Sequence, residues 1–193
     1  MSMEALFGFV GKDYVVIAAD SSVISSILTY KDDEDKILAF SKTKMFGSSG
    51  PVGDRKQLSD YLVGNFNLHK VRTNKEIDME ATASSFRNSV AYFIRNHPYE
   101  VNLILGGLDD SIPSLYYLDY LGTLQRVNYS SHGYVAYFLM SIFDRFWHED
   151  MTLEEGYDLL NKITTEIKSR FLVNLPHYTV KILTKEGIQV QHI

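Results

Sequence analysis

The run Val15-Val16-Ile17-Ala18-Ala19 constrains this chain more than any other stretch. Successive side chains of a strand point to opposite faces. A strand that is apolar at every position must be covered on both sides, so it belongs inside a layered domain. A short apolar segment, Leu6 to Val10, precedes it, and Gly11-Lys12-Asp13 reads as the turn between them. The chain therefore opens on a hairpin. The hairpin ends in Ala18-Ala19-Asp20-Ser21-Ser22, which puts polar groups at the end of a buried strand.

The rest of the chain falls into blocks. Ile24 to Tyr30 is β-branched and predicted to be extended. Lys31 to Lys36, a charge run, is predicted to be a solvated turn. Ile37 to Phe40 and Thr43 to Ser48 read as a second hairpin through Ser41-Lys42. The period then changes. Leu58, Tyr61, Leu62 and Phe66 follow helical spacing after Gly50-Pro51-Val52-Gly53. A second helix is predicted from about Asp78 to His97, with Ala83, Phe86, Val90, Phe93 and Ile94 on one face and Pro98 ending it.

Strands return at Val101 to Gly106, Ser114 to Tyr120 and Thr123 to Val127. His132 to Trp147 is predicted to be helical, with Val135, Phe138, Leu139, Ile142 and Phe146 inward. Thr152-Leu153-Glu154-Glu155 is a capping box that starts a helix running to about Arg170. That helix is expected to bury Tyr157, Leu160, Ile163 and Ile167. Two last strands, Tyr178 to Leu183 and Ile188 to Ile193, flank a Lys185-Glu186-Gly187 turn.

Strands and helices thus come in segregated blocks rather than in strict βαβ alternation. That order predicts an α+β fold with two mainly antiparallel sheets between two helix layers, a four-layer αββα sandwich. A length of 193 residues, with no linker or low-complexity tract, fits one domain over 1–193.

The totals exclude some classes. A net charge of −5 argues against nonspecific nucleic-acid binding, which needs a basic face. The chain has no cysteine, which removes disulfides, thiolate metal sites and a cysteine nucleophile, and suits a reducing compartment. No apolar run approaches the roughly 20 residues of a membrane span. No basic region followed by a long apolar stretch marks a secretory signal, so an intracellular location is expected.

Three stretches have the residue types of a site without its spacing. Gly47-Ser48-Ser49-Gly50-Pro51-Val52-Gly53 precedes a helix but lacks the Gly-Lys-Ser/Thr ending that holds phosphate and magnesium. It is not Gly-x-Ser-x-Gly either, and it reads as a strand-to-helix turn. Asp144, His148, Glu149 and Asp150 lack His-Glu-x-x-His spacing and read as a polar helix connection. Phe138, Phe143, Phe146, Tyr116 and Tyr117 read as core or interface rather than as base-stacking platforms. No cofactor and no metal site is expected.

Tyr14-Val15-Val16-Ile17-Ala18-Ala19-Asp20, the segment Lys31 to Ile37, and Gly47-Ser48-Ser49-Gly50 before a helix together resemble the β-type subunits of the 20S proteasome, in the N-terminal nucleophile hydrolase superfamily. The resemblance covers essentially the whole chain. It is closest to non-catalytic members of the eukaryotic β ring. The stretches Lys31 to Lys36, Pro98 to Gly107, Leu115 to Tyr120, His132-Gly133-Tyr134 and Arg170 to Pro176 carry that closer match. It implies the same αββα sandwich.

In catalytic members of that family an N-terminal threonine is the nucleophile, and its own amine is the base, since that amine titrates near neutrality. An aspartate, a lysine and a glycine N–H complete the site. By motif these fall at Asp20, Lys36 and Gly50, and the threonine falls near Ser2. Two further orienting positions fall at Phe171 and Asn174, where neither aspartate nor serine is retained. No Gly-Thr processing junction precedes Ser2. Losing orienting groups that act as a unit costs orders of magnitude in rate.

The resemblance therefore implies a non-catalytic structural subunit in which Ser2, Asp20, Lys36 and Gly50 are vestigial. It would support ring assembly and the chamber for ATP- and ubiquitin-dependent protein degradation. The alternative is a peptidase subunit that uses Ser2 with Asp20 and Lys36. The implied partners are neighbouring β subunits, an α-ring subunit and a β subunit of the facing ring, in a hetero-oligomer of the cytoplasm and nucleus. Exposed apolar and aromatic residues beyond the needs of one core would fit such interfaces.

Overall fold

A computed structural model describes residues 3–25 and 28–193. Ser2 lies outside the described residues. The opening hairpin consists of β1 (Leu6–Val10) and β2 (Val15–Asp20), paired antiparallel with Phe7 opposite Ala18. All six residues of β2 are buried, as an apolar run on both faces requires.

A small two-stranded ribbon follows, β3 (Val23–Ser25) with β4 (Leu28–Lys31). The segment read as one extended stretch from Ile24 to Tyr30 is thus two strands, because Ser25 pairs with Leu28. Next come β5 (Ile37–Ala39), β6 (Lys44–Ser49), α1 (Val52–Thr73) and α2 (Met79–Asn96). Asp78 caps α2 by accepting the Ala81 N–H at 2.7 Å. Strands β7 (Asn102–Asp109), β8 (Ile112–Leu118), β9 (Leu124–Val127) and β10 (Tyr129–His132) precede α3 (Ala136–Phe146) and α4 (Leu153–Arg170). The chain closes with β11 (Tyr178–Thr184) and β12 (Gly187–His192).

One sheet runs β10-β1-β2-β11-β12 and the other β5-β6-β7-β8-β9, with antiparallel pairing throughout. Side-chain alternation then builds the layers. Val16 and Ala18 of β2 join a cluster with Leu139 and Phe143 of α3 and Leu160 and Ile163 of α4. Val15, Ile17 and Ala19 turn the other way and meet Ile37, Met45, Ile104 and Leu115 of the second sheet. That sheet's far face, with Phe46, Leu103 and Leu105, packs on Leu58 and Leu62 of α1 and Phe86 of α2. Three apolar clusters between four layers make the α+β sandwich that the block order predicts.

Further sequence expectations need correction, among them Phe146, expected to point inward on α3 but 39% exposed. His132 is not a helix residue: it ends β10, pairs with Leu6, and is 5% exposed. The helix starts four residues later, at Ala136, after Gly133 with φ 87. The polar string Tyr129-Ser130-Ser131-His132 lacks a strand signature of its own, and its pairing with β1 makes it one.

The charge run from Lys31 to Lys36 is not a solvated turn throughout. Lys36 is 3% exposed. Asp35 is half exposed, yet its carboxylate takes the ammonium of Lys181, a buried residue of β11, at 2.6 Å. The same ammonium donates to the Ile37 carbonyl oxygen. The end of the charge run is therefore fastened to the first sheet.

Candidate functional site

Three of the sequence-predicted site residues converge where the two sheets meet. Asp20 ends β2 and is 1% exposed. Its Oδ1 accepts the Ala5 N–H at 2.8 Å, and its Oδ2 accepts the Ser22 N–H at 3.1 Å and the Lys36 ammonium at 3.0 Å. Burial pushes the Asp20 carboxyl above the usual carboxylate range, against the pull of Lys36. Lys36 leads into β5 from the other sheet. Its Nζ also donates to the Ser22 carbonyl oxygen at 2.8 Å, and it lies 2.8 Å from Glu4 Oε1. The ammonium thus has two hydrogen-bond acceptors, Asp20 and the Ser22 carbonyl, and a second ion-pair partner in Glu4.

Gly50 follows β6 with φ 141, a backbone conformation open chiefly to glycine. Its N–H donates to Glu4 Oε2 at 2.7 Å. One Glu4 carboxylate thus bridges the Lys36 ammonium and the Gly50 amide. Arg55 of α1 stands beside it: Nε donates to the Gly50 carbonyl oxygen at 3.0 Å, and Nη2 lies 3.7 Å from Glu4 Oε1 and 3.9 Å from Glu34 Oε1. That Nη2 is buried without a hydrogen-bond partner among the described residues.

Nucleophilic attack on a peptide here would need a free hydroxyl beside Lys36 and an uncommitted N–H to receive the developing oxyanion. Among the described residues it is the Glu4 carboxylate that stands beside Lys36. The Gly50 N–H is already donated, and its acceptor is the negatively charged Glu4 carboxylate. Of the remaining motif positions, Phe171 packs against the core beside α3 and α4, and Asn174 is exposed.

Sequence reasoning missed Glu4 and Arg55. Their only signals were an acid between the apolar Met3 and Ala5, and a cation early in a helix. A hollow of about 810 Å³ opens beside the cluster, lined among others by Met3, Glu4, Ser22, Tyr30, Pro51 and Tyr120.

The other sequence candidates form no second centre. Asp144 accepts the Tyr129 hydroxyl at 2.5 Å, and His148 Nε2 lies 3.6 Å from Glu155 in the first turn of α4. Among the described residues no group of three or more His, Cys, Asp or Glu is placed to hold a metal ion. The glycine-rich stretch from Gly47 ends β6 and leads into α1. Phe143 and Tyr116 are buried, Phe138 and Tyr117 are partly buried, and Phe146 is 39% exposed.

Comparison with known proteins finds relatives of nearly the whole chain. The protein family described as proteasome subunit matches residues 3–183. The chain is 45% identical over 192 residues to proteasome subunit beta type-2 of Dictyostelium discoideum, covering 97% of this chain and 96% of the relative. It is 39% identical over 186 residues to proteasome subunit beta type-2 of Oryza sativa, covering 96% of this chain and 88% of the relative. It is 34% identical over 190 residues to proteasome subunit beta type-4 of Saccharomyces cerevisiae, covering 97% and 96%.

Proposed function

The chain belongs to the proteasome subunit family, and from that premise we propose that it is a non-catalytic β subunit of the 20S core particle. Its work is structural. It fills a position in the β ring, contacts neighbouring β subunits, an α-ring subunit and a β subunit of the facing ring, and helps wall the chamber in which other subunits cut protein. This is the particle of ATP- and ubiquitin-dependent degradation, and the proposed setting is the cytoplasm and nucleus.

The observation that carries the reading is the Glu4 carboxylate on the Lys36 ammonium and the Gly50 N–H. It supports loss of catalysis in two ways. The donor that would steady an oxyanion is engaged, and among the described residues an anion, Glu4, stands beside Lys36. Exposed Tyr92, Tyr137 and Leu172 support permanent contacts, because large apolar side chains in the open are what subunit interfaces cover.

Two measurements test the proposal. Native mass spectrometry of the particle purified from its source should find this chain among many different subunits. A stable free monomer or homo-oligomer would sink the structural reading. An epoxyketone probe for N-terminal nucleophiles should leave the chain unlabelled, and an adduct on Ser2 would establish the peptidase instead.

A further inference from the structure

We infer that Lys36, the Gly50 N–H and Arg55 form a monocarboxylate-binding site that Glu4 fills from within the chain. The inference rests on the non-catalytic reading and concerns the same cluster. The donors come from separate segments: Lys36 from the lead into β5, Gly50 from the end of β6, and Arg55 from α1. They meet the two oxygens of one carboxylate, Oε1 on Lys36 and Oε2 on the Gly50 amide.

Charge supports this ligand class. Asp20 balances one of the two buried cations, Lys36 and Arg55, and its oxygens are already held by Ala5, Ser22 and Lys36. The Glu4 carboxylate balances the other. Without it, the buried Arg55 keeps only Glu34, 3.9 Å from its Nη2 and shared with Lys31, and a buried charge so weakly matched is tolerated poorly. The second, independent observation is that Nη2 itself: it is buried, has no hydrogen bond among the described residues, and lies 3.7 Å from Glu4 Oε1. A ligand has a way in, because the hollow of about 810 Å³ opens beside Glu4. A single negative charge suits the site. A phosphate would bring more charge up against Asp20 and Glu34.

The test uses the full chain as Glu4→Ala, melted with sodium acetate, sodium chloride or inorganic phosphate at equal ionic strength. Acetate at ten times its Kd should raise the melting temperature of Glu4→Ala by about 3 to 6 °C. The native chain and Glu4→Gln, whose amide still occupies the space, should shift by less than about a third of that. Direct titration of Glu4→Ala with labelled acetate should show one site per chain. If Glu4→Ala is unfolded in buffer, acetate should restore its folded signal. No acetate-specific rise, an equal rise in all three chains, or a chain unfolded at every acetate concentration would each overturn the inference. An equal response to phosphate would overturn the monocarboxylate class. The readout is independent of catalysis, so probe labelling of native Ser2 would defeat the non-catalytic reading without deciding this one.

Discussion

Glu4 Oε1 stands 2.8 Å from the Nζ of Lys36, a lysine whose side chain is 1% exposed. The pair joins the start of the first sheet to the start of the second. Lys36 also neutralises Asp20 at 3.0 Å, so one ammonium serves two carboxylates. Attraction between charges grows as water is excluded, and so does the cost of leaving one unpaired.

Replacing Lys36 with methionine should therefore destabilise the full chain strongly. It leaves Asp20 and Glu4 facing each other with no cation between them. The expected loss is about 3 kcal/mol or more in denaturant unfolding, as for a buried pair deprived of one partner. The double variant Lys36→Met with Glu4→Gln should recover part of that loss. Strictly additive effects of the two changes would show that the charges do not interact.

Gly50→Ala should damage the same corner through the backbone. Gly50 has φ 141, and a Cβ built there would lie 2.2 Å from the Glu100 carbonyl oxygen. The chain must shift, and the N–H that Glu4 accepts shifts with it. A loss of about 2–4 kcal/mol in unfolding free energy is expected, from backbone strain together with a displaced buried contact. A native-like stability for Gly50→Ala would contradict this geometry.

Acid should destabilise the chain through His132. Its ring stacks on Tyr117 with centroids 4.4 Å apart, and Nε2 donates to the Leu103 carbonyl oxygen at 3.1 Å, which leaves the proton on Nε2 at neutral pH. Burial lowers its pKa from 6.5 to about 4, with the Leu103 contact opposing. The unfolded chain takes up a proton below pH 6.5 while the folded chain resists until about pH 4. Stability from this group is thus present above pH 6.5 and lost as pH falls through that window, by ~3 kcal/mol at most. His132→Phe should flatten unfolding free energy against pH over that range. An unchanged slope would exclude His132 as the cause.

Glu76 should act at lower pH and with the ordinary carboxylate sign. Burial raises its pKa, but hydrogen bonds from Ser41 and Lys70 and the nearby Lys44 outweigh burial and hold it at about 2. Ser41 Oγ donates at 2.6 Å, Lys70 Nζ at 2.9 Å and Lys44 Nζ at 3.3 Å. Its contribution is present above pH 4.5 and lost as pH falls toward 2. In Glu76→Gln, melting temperature should depend less on pH between those values. A variant as acid-sensitive there as the native chain would rule the cluster out.

Much of the fold was legible because its causes are local. The run Val15 to Ala19 announces a doubly covered strand, and Thr152 with Glu155 announces the start of α4. The hydroxyl of Thr152 and the carboxylate of Glu155 each meet the other's backbone N–H, at 3.4 and 2.8 Å. The strand β10 was not legible, since only its partner β1 makes Ser130 and Ser131 extended. The ribbon β3–β4 was not legible either, because its pairing depends on where the chain turns back. At the site, Asp20, Lys36 and Gly50 were readable by resemblance. Glu4 was not, because its partner Gly50 lies 46 residues away and nothing in MSMEAL signals that contact.

The tripeptide Asp35-Lys36-Ile37 has a further mechanical consequence. Lys36 reaches Asp20 at the end of β2, while Asp35 and the Ile37 carbonyl oxygen take Lys181 from β11. Apolar contact between two sheets resists separation but has little directional preference, so by itself it restrains sliding weakly. Charge-assisted hydrogen bonds fix both distance and angle. Three consecutive residues of the second sheet's leading edge are gripped by two adjacent strands of the first. Any slip of one sheet across the other must break both grips, so this short acidic and basic stretch sets the alignment of the whole sandwich.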